Sequence, residues 1–174
     1  MTSLRWLGLH CIFLGLLACS STLENPAGQQ SAAPPEPVSY VGLKIPPMPD
    51  GHETDLGYLL GPEVQGKYAI VVVDFESKKI VWMGRLLYHD EQGRAHWEII
   101  AALPAQSLPT GYRFSGGNCL IHDTPQPEIV AILKMDDQKT LTRAHKAWKA
   151  DPQKAAFEPL SLEGIQCINE RSNH

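Results

Sequence analysis

The stretch Tyr68-Ala-Ile-Val-Val-Val-Asp-Phe75 decides the fold, because it is a short apolar run rich in β-branched residues. Such a run predicts a strand that is buried on both faces. After a polar turn at residues 76–79, a second strand is predicted at Ile80-Val-Trp-Met-Gly-Arg-Leu-Leu-Tyr88. Asp90-Glu-Gln-Gly93 then forms a turn before Ala95-His-Trp-Glu-Ile-Ile-Ala-Ala-Leu103. The three runs together predict an antiparallel meander.

The chain after the meander is predicted to contain short strands between loops. Residues 104–118 read as one long loop, because they are rich in glycine and also contain proline. The predicted strands lie at 119–121, 128–134, 157–162 and 165–168.

A helix is predicted over residues 138–150. Side chains that suit a buried helix face recur there at three-and-four spacing, at Leu141, Ala144, His145 and Trp148. Asp136 and Asp137 precede them as candidate helix caps, and Pro152 follows as a stop. Together with the meander, this predicts an α+β fold, in which a small antiparallel sheet carries one amphipathic helix in the C-terminal half.

An export leader is predicted over residues 1–18. Arg5 supplies a positive charge near the start, and a mostly apolar run extends from Leu7 to Ala18. This run is too short to cross a bilayer as a helix, whereas a signal peptide needs only about 7 to 15 apolar residues. The leader is therefore predicted to be removed on export.

The end of the leader, Leu16-Leu17-Ala18-Cys19, resembles the lipobox of bacterial lipoproteins. The resemblance implies that Cys19 carries lipid and becomes the first mature residue, so that the lipid binds the protein to a membrane. Ser20, rather than an aspartate, after the cysteine implies transfer to the outer membrane with the domain facing the periplasm. The inner membrane and the cell surface stay open as locations, as do an uncleaved anchor and an unlipidated signal.

The mature chain is predicted to be a tether followed by one domain. Residues 19–39 are mostly Ser, Gln, Ala, Pro and Glu without an apolar period, which indicates a disordered spacer after the lipidated cysteine. Prolines and glycines in residues 40–66 indicate a mostly irregular arm that packs on the core. Residues 40–174 are predicted to form a single globular domain, because 174 residues leave little room for a second core.

The four cysteines separate by position, since Cys11 lies in the leader and Cys19 is the predicted lipid carrier. The remaining thiols, Cys119 and Cys167, are expected to pair in an oxidising compartment. Their bridge closes a loop of about 48 residues, for which chain entropy predicts roughly 4 kcal/mol of stabilisation. The alternative is a nucleophilic Cys119 with His122 as its base, which a strand disfavours because positions 119 and 122 point to opposite faces.

Histidines offer weaker candidates for metal or acid–base chemistry. His89 and His96 lie across the second meander turn with Asp90 nearby, and they are the best candidate ligands for zinc or copper. They do not complete a three- or four-ligand set, so solvated turn histidines are favoured and no cofactor is predicted. His145, on the predicted helix, is a candidate buried general base with no acid implied beside it, and a satisfied histidine at the margin of the core is the favoured interpretation.

Two further patterns are interpreted as structural. Ser115-Gly-Gly-Asn118 resembles a phosphate-binding loop only in its glycines, so it is interpreted as a turn before the disulfide strand. The tryptophans Trp82, Trp97 and Trp148 are interpreted as core side chains rather than as the lining of a pocket.

The sequence favours a binding function over a catalytic one. A net charge of −4 argues against nucleic acid as a partner. Because no catalytic set stands out, the leading hypothesis is a noncatalytic envelope lipoprotein whose domain binds or assembles with an envelope protein. The alternatives are a periplasmic hydrolase that uses Cys119 or a histidine, and a metal or small-ligand carrier that uses the meander histidines.

Overall fold

The computed structural model describes residues 39–61, 64 and 66–170. The predicted signal peptide, the predicted lipidation site Cys19 and all of the predicted tether except Ser39 lie outside the described residues. The strands of the described part are β1 Lys44–Ile45, β2 Glu53–Leu59, β3 Tyr68–Phe75, β4 Lys78–His89, β5 Ala95–Gln106, β6 Tyr112–Gly116, β7 Cys119–Ile121, β8 Thr124–Pro125, β9 Ile129–Lys134, β10 Thr140–Leu141, β11 Ala144–Asp151, β12 Ala156–Pro159 and β13 Ile165–Ile168.

The described residues contain no α-helix, so the predicted α+β class is wrong and the fold is nearly all β. Three antiparallel sheets account for the strands. Sheet A has the order β1-β5-β4-β3-β2, sheet B has the order β12-β11-β9-β6, and sheet C has the order β10-β13-β7-β8. Within the described ranges, no helix is long and apolar enough to cross a membrane.

The segment predicted as a helix forms β10 and β11 instead. β11 lies between β9 and β12 and pairs with both, so its backbone hydrogen bonds go to neighbouring strands. Its side chains alternate between two cores, because Trp148 and Ala150 face one and Ala147 faces the other. The helical spacing of these residues is only a local pattern. Pairing with a strand on each side therefore decides the conformation of the segment.

The predicted helix caps have a different role. Asp136 Oδ1 accepts a hydrogen bond from the backbone N–H of Gln138 at 3.0 Å, which organises a turn before β10. Asp136 Oδ2 pairs with Arg143 at 2.9 Å. These two hydrogen bonds outweigh partial desolvation and lower the pKa of Asp136 below 3.8.

The meander prediction is confirmed, because β3, β4 and β5 follow one another as antiparallel neighbours in sheet A. Val81 and Met83 on β4 face sheet B, while Ile80 and Trp82 face the opposite side. Both sets of side chains are buried, at 0–2% exposure. Burial on both faces explains why residues 80–83 of this strand are continuously apolar.

Sheet B is the middle layer of the described fold. Along β9, Val130 and Ile132 pack in a central core with sheet A, whereas Ile129, Ala131 and Leu133 pack in a disulfide core with sheet C. β9 is therefore buried on both faces as well, and its six residues from Ile129 to Lys134 are apolar except for the last.

The outer face of sheet A is covered by residues 40–52, which are the first part of the segment 40–66 predicted as an irregular arm. Ile45 is 6% exposed in β1, which pairs with β5, and Tyr40 packs against Trp82 with ring centroids 5.0 Å apart. His52 stacks on Phe75 at 4.1 Å. The expected packing of this segment on the core is confirmed, but the segment is not mostly irregular, because it contributes both β1 and β2 to sheet A.

The tryptophans lie in cores, as interpreted from the sequence. Trp82 is fully buried under the arm, and Trp97 packs against the same cluster. Trp148 packs against the central core, where its ring lies 6.3 Å from that of Phe114.

Candidate binding groove

The two domain cysteines form a disulfide, as predicted. Cys119 on β7 lies directly opposite Cys167 on β13, with the Cα atoms 4.0 Å apart and both side chains buried. The bond leaves no thiol at Cys119 for a nucleophile. His122 is exposed in the turn after β7, with a positive φ of 48°.

The candidate metal ligands His89 and His96 lie at the end of the β4–β5 hairpin. His96 Nε2 is 3.3 Å from Asp90 Oδ2, and the His96 ring stacks on Tyr88 at 4.5 Å. His89 is exposed opposite Ala95. Across the part of the chain that the structure describes, no three His, Cys, Asp or Glu side chains are grouped to hold a metal ion.

Asp90 organises this hairpin turn. It accepts hydrogen bonds from the backbone N–H groups of Gln92 and Arg94 at 3.0 and 2.8 Å, and from Arg94 Nε at 2.7 Å. Partial desolvation raises the pKa of Asp90, but the hydrogen bonds from Arg94 and His96 outweigh it and lower the pKa to about 2. The carboxylate therefore stays charged and holds the turn.

His145, the candidate general base, is exposed on β11 rather than on a helix. Its ring lies 5.6 Å from that of Tyr112 in an edge-on contact. The structure therefore places an aromatic ring against it.

β2 is an edge strand of sheet A and presents unpaired backbone groups. The N–H of Leu60 donates to the carbonyl oxygen of Tyr68 at 3.0 Å, and the β2–β3 register continues from this pair. Because antiparallel pairs alternate, the N–H and C=O groups of Gly57 and Leu59 point away from β3. These groups have no backbone hydrogen-bond partner among the described residues.

β6 is the corresponding edge strand of sheet B. The N–H of Met135 donates to the carbonyl oxygen of Gly111 at 2.8 Å, and the β6–β9 register follows from it. By the same alternation, the backbone groups of Phe114 and Gly116 point away from β9 and find no backbone partner in the described ranges.

A groove of about 200 Å³ lies where these two edges approach each other, and we name it the seam groove. β2 supplies residues 56–58, β6 supplies residues 113–116, and the far wall comes from Met135, Leu141 and residues 168–170. A second groove, of about 590 Å³, lies on the other side of Asn118 and is lined by Pro125, Pro127 and Lys149 among others. Asn118 lines both grooves.

Side-chain amides fix the far wall of the seam groove. Asn118 Nδ2 donates to Glu170 Oε1 at 2.9 Å and to the carbonyl oxygen of Ile168 at 3.4 Å. Asn169 is buried, and its Nδ2 donates to the carbonyl oxygens of Asp136 and Gln138, both at 2.9 Å. The wall is therefore held in place by hydrogen bonds as well as by the disulfide next to it.

Charged side chains meet next to Arg113, which lines the seam groove. Lys79 Nζ lies 2.9 Å from Asp55 Oδ2 and 2.6 Å from Asp74 Oδ1, while Arg113 is farther from Asp55, at 3.8 Å. Partial desolvation lowers the pKa of Lys79, but its hydrogen bonds to Asp74 and Asp55 outweigh it, and the pKa rises above 10.5. Lys79 is thus firmly paired, and Arg113 is paired at longer range.

Tyr58 explains the glycine pair that resembles a phosphate-binding loop. Its ring lies on Gly116 and Gly117, and a Cβ atom at Gly117 would be 2.9 Å from the ring. The Tyr58 hydroxyl donates to the carbonyl oxygen of Ile129 at 3.2 Å. Burial, and then the charge of Glu128, raises the pKa of Tyr58 above 10.0, so the hydroxyl remains a donor. The glycines make room for Tyr58.

Sequence reasoning missed the seam groove because it placed β2 in an irregular arm and β6 in a loop. A period-two signal is present in both segments: Leu56, Tyr58 and Leu60 alternate with other residues, as do Tyr112 and Phe114. The nearby glycines and prolines led to the prediction of irregular structure in both segments. Gly116, however, belongs to β6.

Comparison of the chain with models of known protein families, with curated proteins and with solved structures gives no match.

Proposed function

We propose that this chain is a lipid-anchored protein of the bacterial cell envelope whose β domain is a noncatalytic binding or assembly module. The observation that carries the proposal is the leader, which ends at Leu16-Leu17-Ala18-Cys19 where its apolar run stops. The buried disulfide between Cys119 and Cys167 supports it, because such bonds persist in oxidising compartments outside the cytosol.

The proposed anchor is the lipid on Cys19. Each buried methylene of an acyl chain contributes about 0.8 kcal/mol, so two or more chains hold a protein at a membrane without a transmembrane helix. Ser20 supports delivery to the outer membrane, with residues 40–174 as one domain in the periplasm at the end of the tether. An envelope protein is the proposed partner.

The features of the domain support binding rather than catalysis. The thiol of Cys119 is used in the disulfide, and His122, the base proposed for it, is exposed in a turn. The seam groove, in contrast, combines apolar side chains, fixed polar groups and unpaired backbone groups. Concave surfaces with a few placed polar groups are typical of binding sites.

The anchor is tested by replacing the lipidation site. Cys19→Ala should release the protein from the membrane fraction and remove the lipid from its intact mass, whereas Cys11→Ala, in the same leader, should change neither. Mass measured before and after reduction should also show Cys119 and Cys167 alkylated only after reduction. A Cys19→Ala variant that stays with the membranes would defeat the proposal.

A further inference from the structure

The free edge of β2 is protected along only half of its length. Its first half has a bulge at Asp55 and two acidic residues, Glu53 and Asp55, which are devices that keep edge strands from pairing with other chains. Residues 56–59 have no charge, and Leu59 is 56% exposed. This second half is therefore open to pairing.

The edge of β6, across the seam groove, is less accessible. Phe114 is only 6% exposed, and the Tyr58 ring lies on Gly116. Gly57 on β2 is exposed, and it lines the groove. Of the two edges, β2 is the one that an added strand can reach.

We infer that the seam groove binds an extended polypeptide segment of a partner protein, which adds as a strand to the free edge of β2 and places a carboxylate at Arg113. The backbone groups of Gly57 and Leu59 then pair with the segment, and the apolar groove wall receives alternate side chains. The inference deepens the proposed function and rests on it, because it names the partner chemistry of the same domain.

The charges of the groove select an acidic residue at one end of the segment. Arg113 is about one-third exposed and 3.8 Å from Asp55, whose other oxygen is already 2.9 Å from Lys79. A guanidinium in this position can donate two parallel hydrogen bonds to a carboxylate of the bound segment. Glu170 lies on the far wall, so an acidic residue is disfavoured there.

The inference is tested with a phage-displayed library of random linear peptides, selected on the detergent-extracted full chain. We expect enriched peptides to alternate apolar and other residues and to contain Asp or Glu. Synthetic copies should lose binding when alternate amides are N-methylated in one register and retain it in the other, because only one edge of an added strand pairs. A library that yields no enriched peptide would overturn the inference.

Matched variants at Gly57 locate the pairing. Gly57→Pro removes an N–H that points away from β3, so the β2–β3 ladder loses no hydrogen bond, and peptide binding should weaken about tenfold. Gly57→Ala keeps the N–H, and its Cβ would meet only the carbonyl oxygen of Ile70 at 3.9 Å, so binding should be unchanged. Equal binding by both variants contradicts pairing at β2.

Arg113→Gln tests the charge independently of the Gly57 variants. Binding of acidic peptides should weaken about fivefold, while peptides with Gln in place of the acid should bind the wild type and the variant alike. All of these variants retain Cys19, so a failed peptide experiment with intact lipidation refutes the strand inference alone. A protein without lipid refutes the anchor separately.

Discussion

Sheets A and B meet along two seams that differ in how they are held. On one side β12 lies against β5, and Lys146 Nζ donates to Gln106 Oε1 at 3.0 Å. On the other side the seam groove lies between β2 and β6. Tyr58 and the charges around Asp55 cross this open seam.

The difference shows how one core can hold two sheets together and still leave one strand edge free for a partner. Both seams border the central core, so the burial that holds sheets A and B together is shared. Contact between β5 and β12 completes the closed seam, whereas the open seam leaves backbone groups available to a partner. The open seam should therefore depend more on individual side chains and on the disulfide.

Loss of the disulfide should have the largest effect and should loosen the open seam first. Cys119→Ala combined with Cys167→Ala should lower the free energy of unfolding by about 4 kcal/mol, because residues 48 apart are no longer linked in the unfolded chain. The far wall at 168–170 directly follows Cys167, so hydrogen exchange should rise more there than at β12. An equal rise in hydrogen exchange at residues 168–170 and at β12 would show that the disulfide does not stabilise the open seam more than the closed one.

Tyr58→Phe should have a smaller effect, confined to the open seam. The substitution leaves the carbonyl oxygen of Ile129 without the Tyr58 hydroxyl and should cost about 1 kcal/mol in urea unfolding. Tyr88→Phe is the control, because Tyr88 is 55% exposed and its hydroxyl has no partner among the described residues. Equal stability of the two variants would show that Tyr58 does not hold the seam.

Lys79 should give the smallest effect, and its pH dependence has a defined sign. Its pKa in the folded state is raised above 10.5, so its contribution is fully present below pH 10.5 and is lost as pH rises through the folded-state pKa. We expect a loss of about 0.5 kcal/mol in thermal unfolding at alkaline pH. Lys79→Met should lack this step, and a step of the same size in that variant would contradict the assignment.

The predicted parts of the fold were those with strong local signals. The run at 68–75 is apolar except for Asp74, its two successors are mostly apolar, and the three became β3, β4 and β5. Cys119 and Cys167 remained as a pair once the leader cysteines were set aside, and they are bonded. The seam groove could not be predicted, because it depends on which edges of sheets A and B face each other.

The sequence by itself determined the meander, the short strands at both cysteines and the disulfide, because apolar runs and thiol pairing act whatever surrounds them. Tertiary structure decided the state of residues 144–151, where helical spacing and strand alternation coexist and only the presence of β9 and β12 favours a strand. It also decided the open seam, since an edge is free only when the completed sheets leave it without a neighbour.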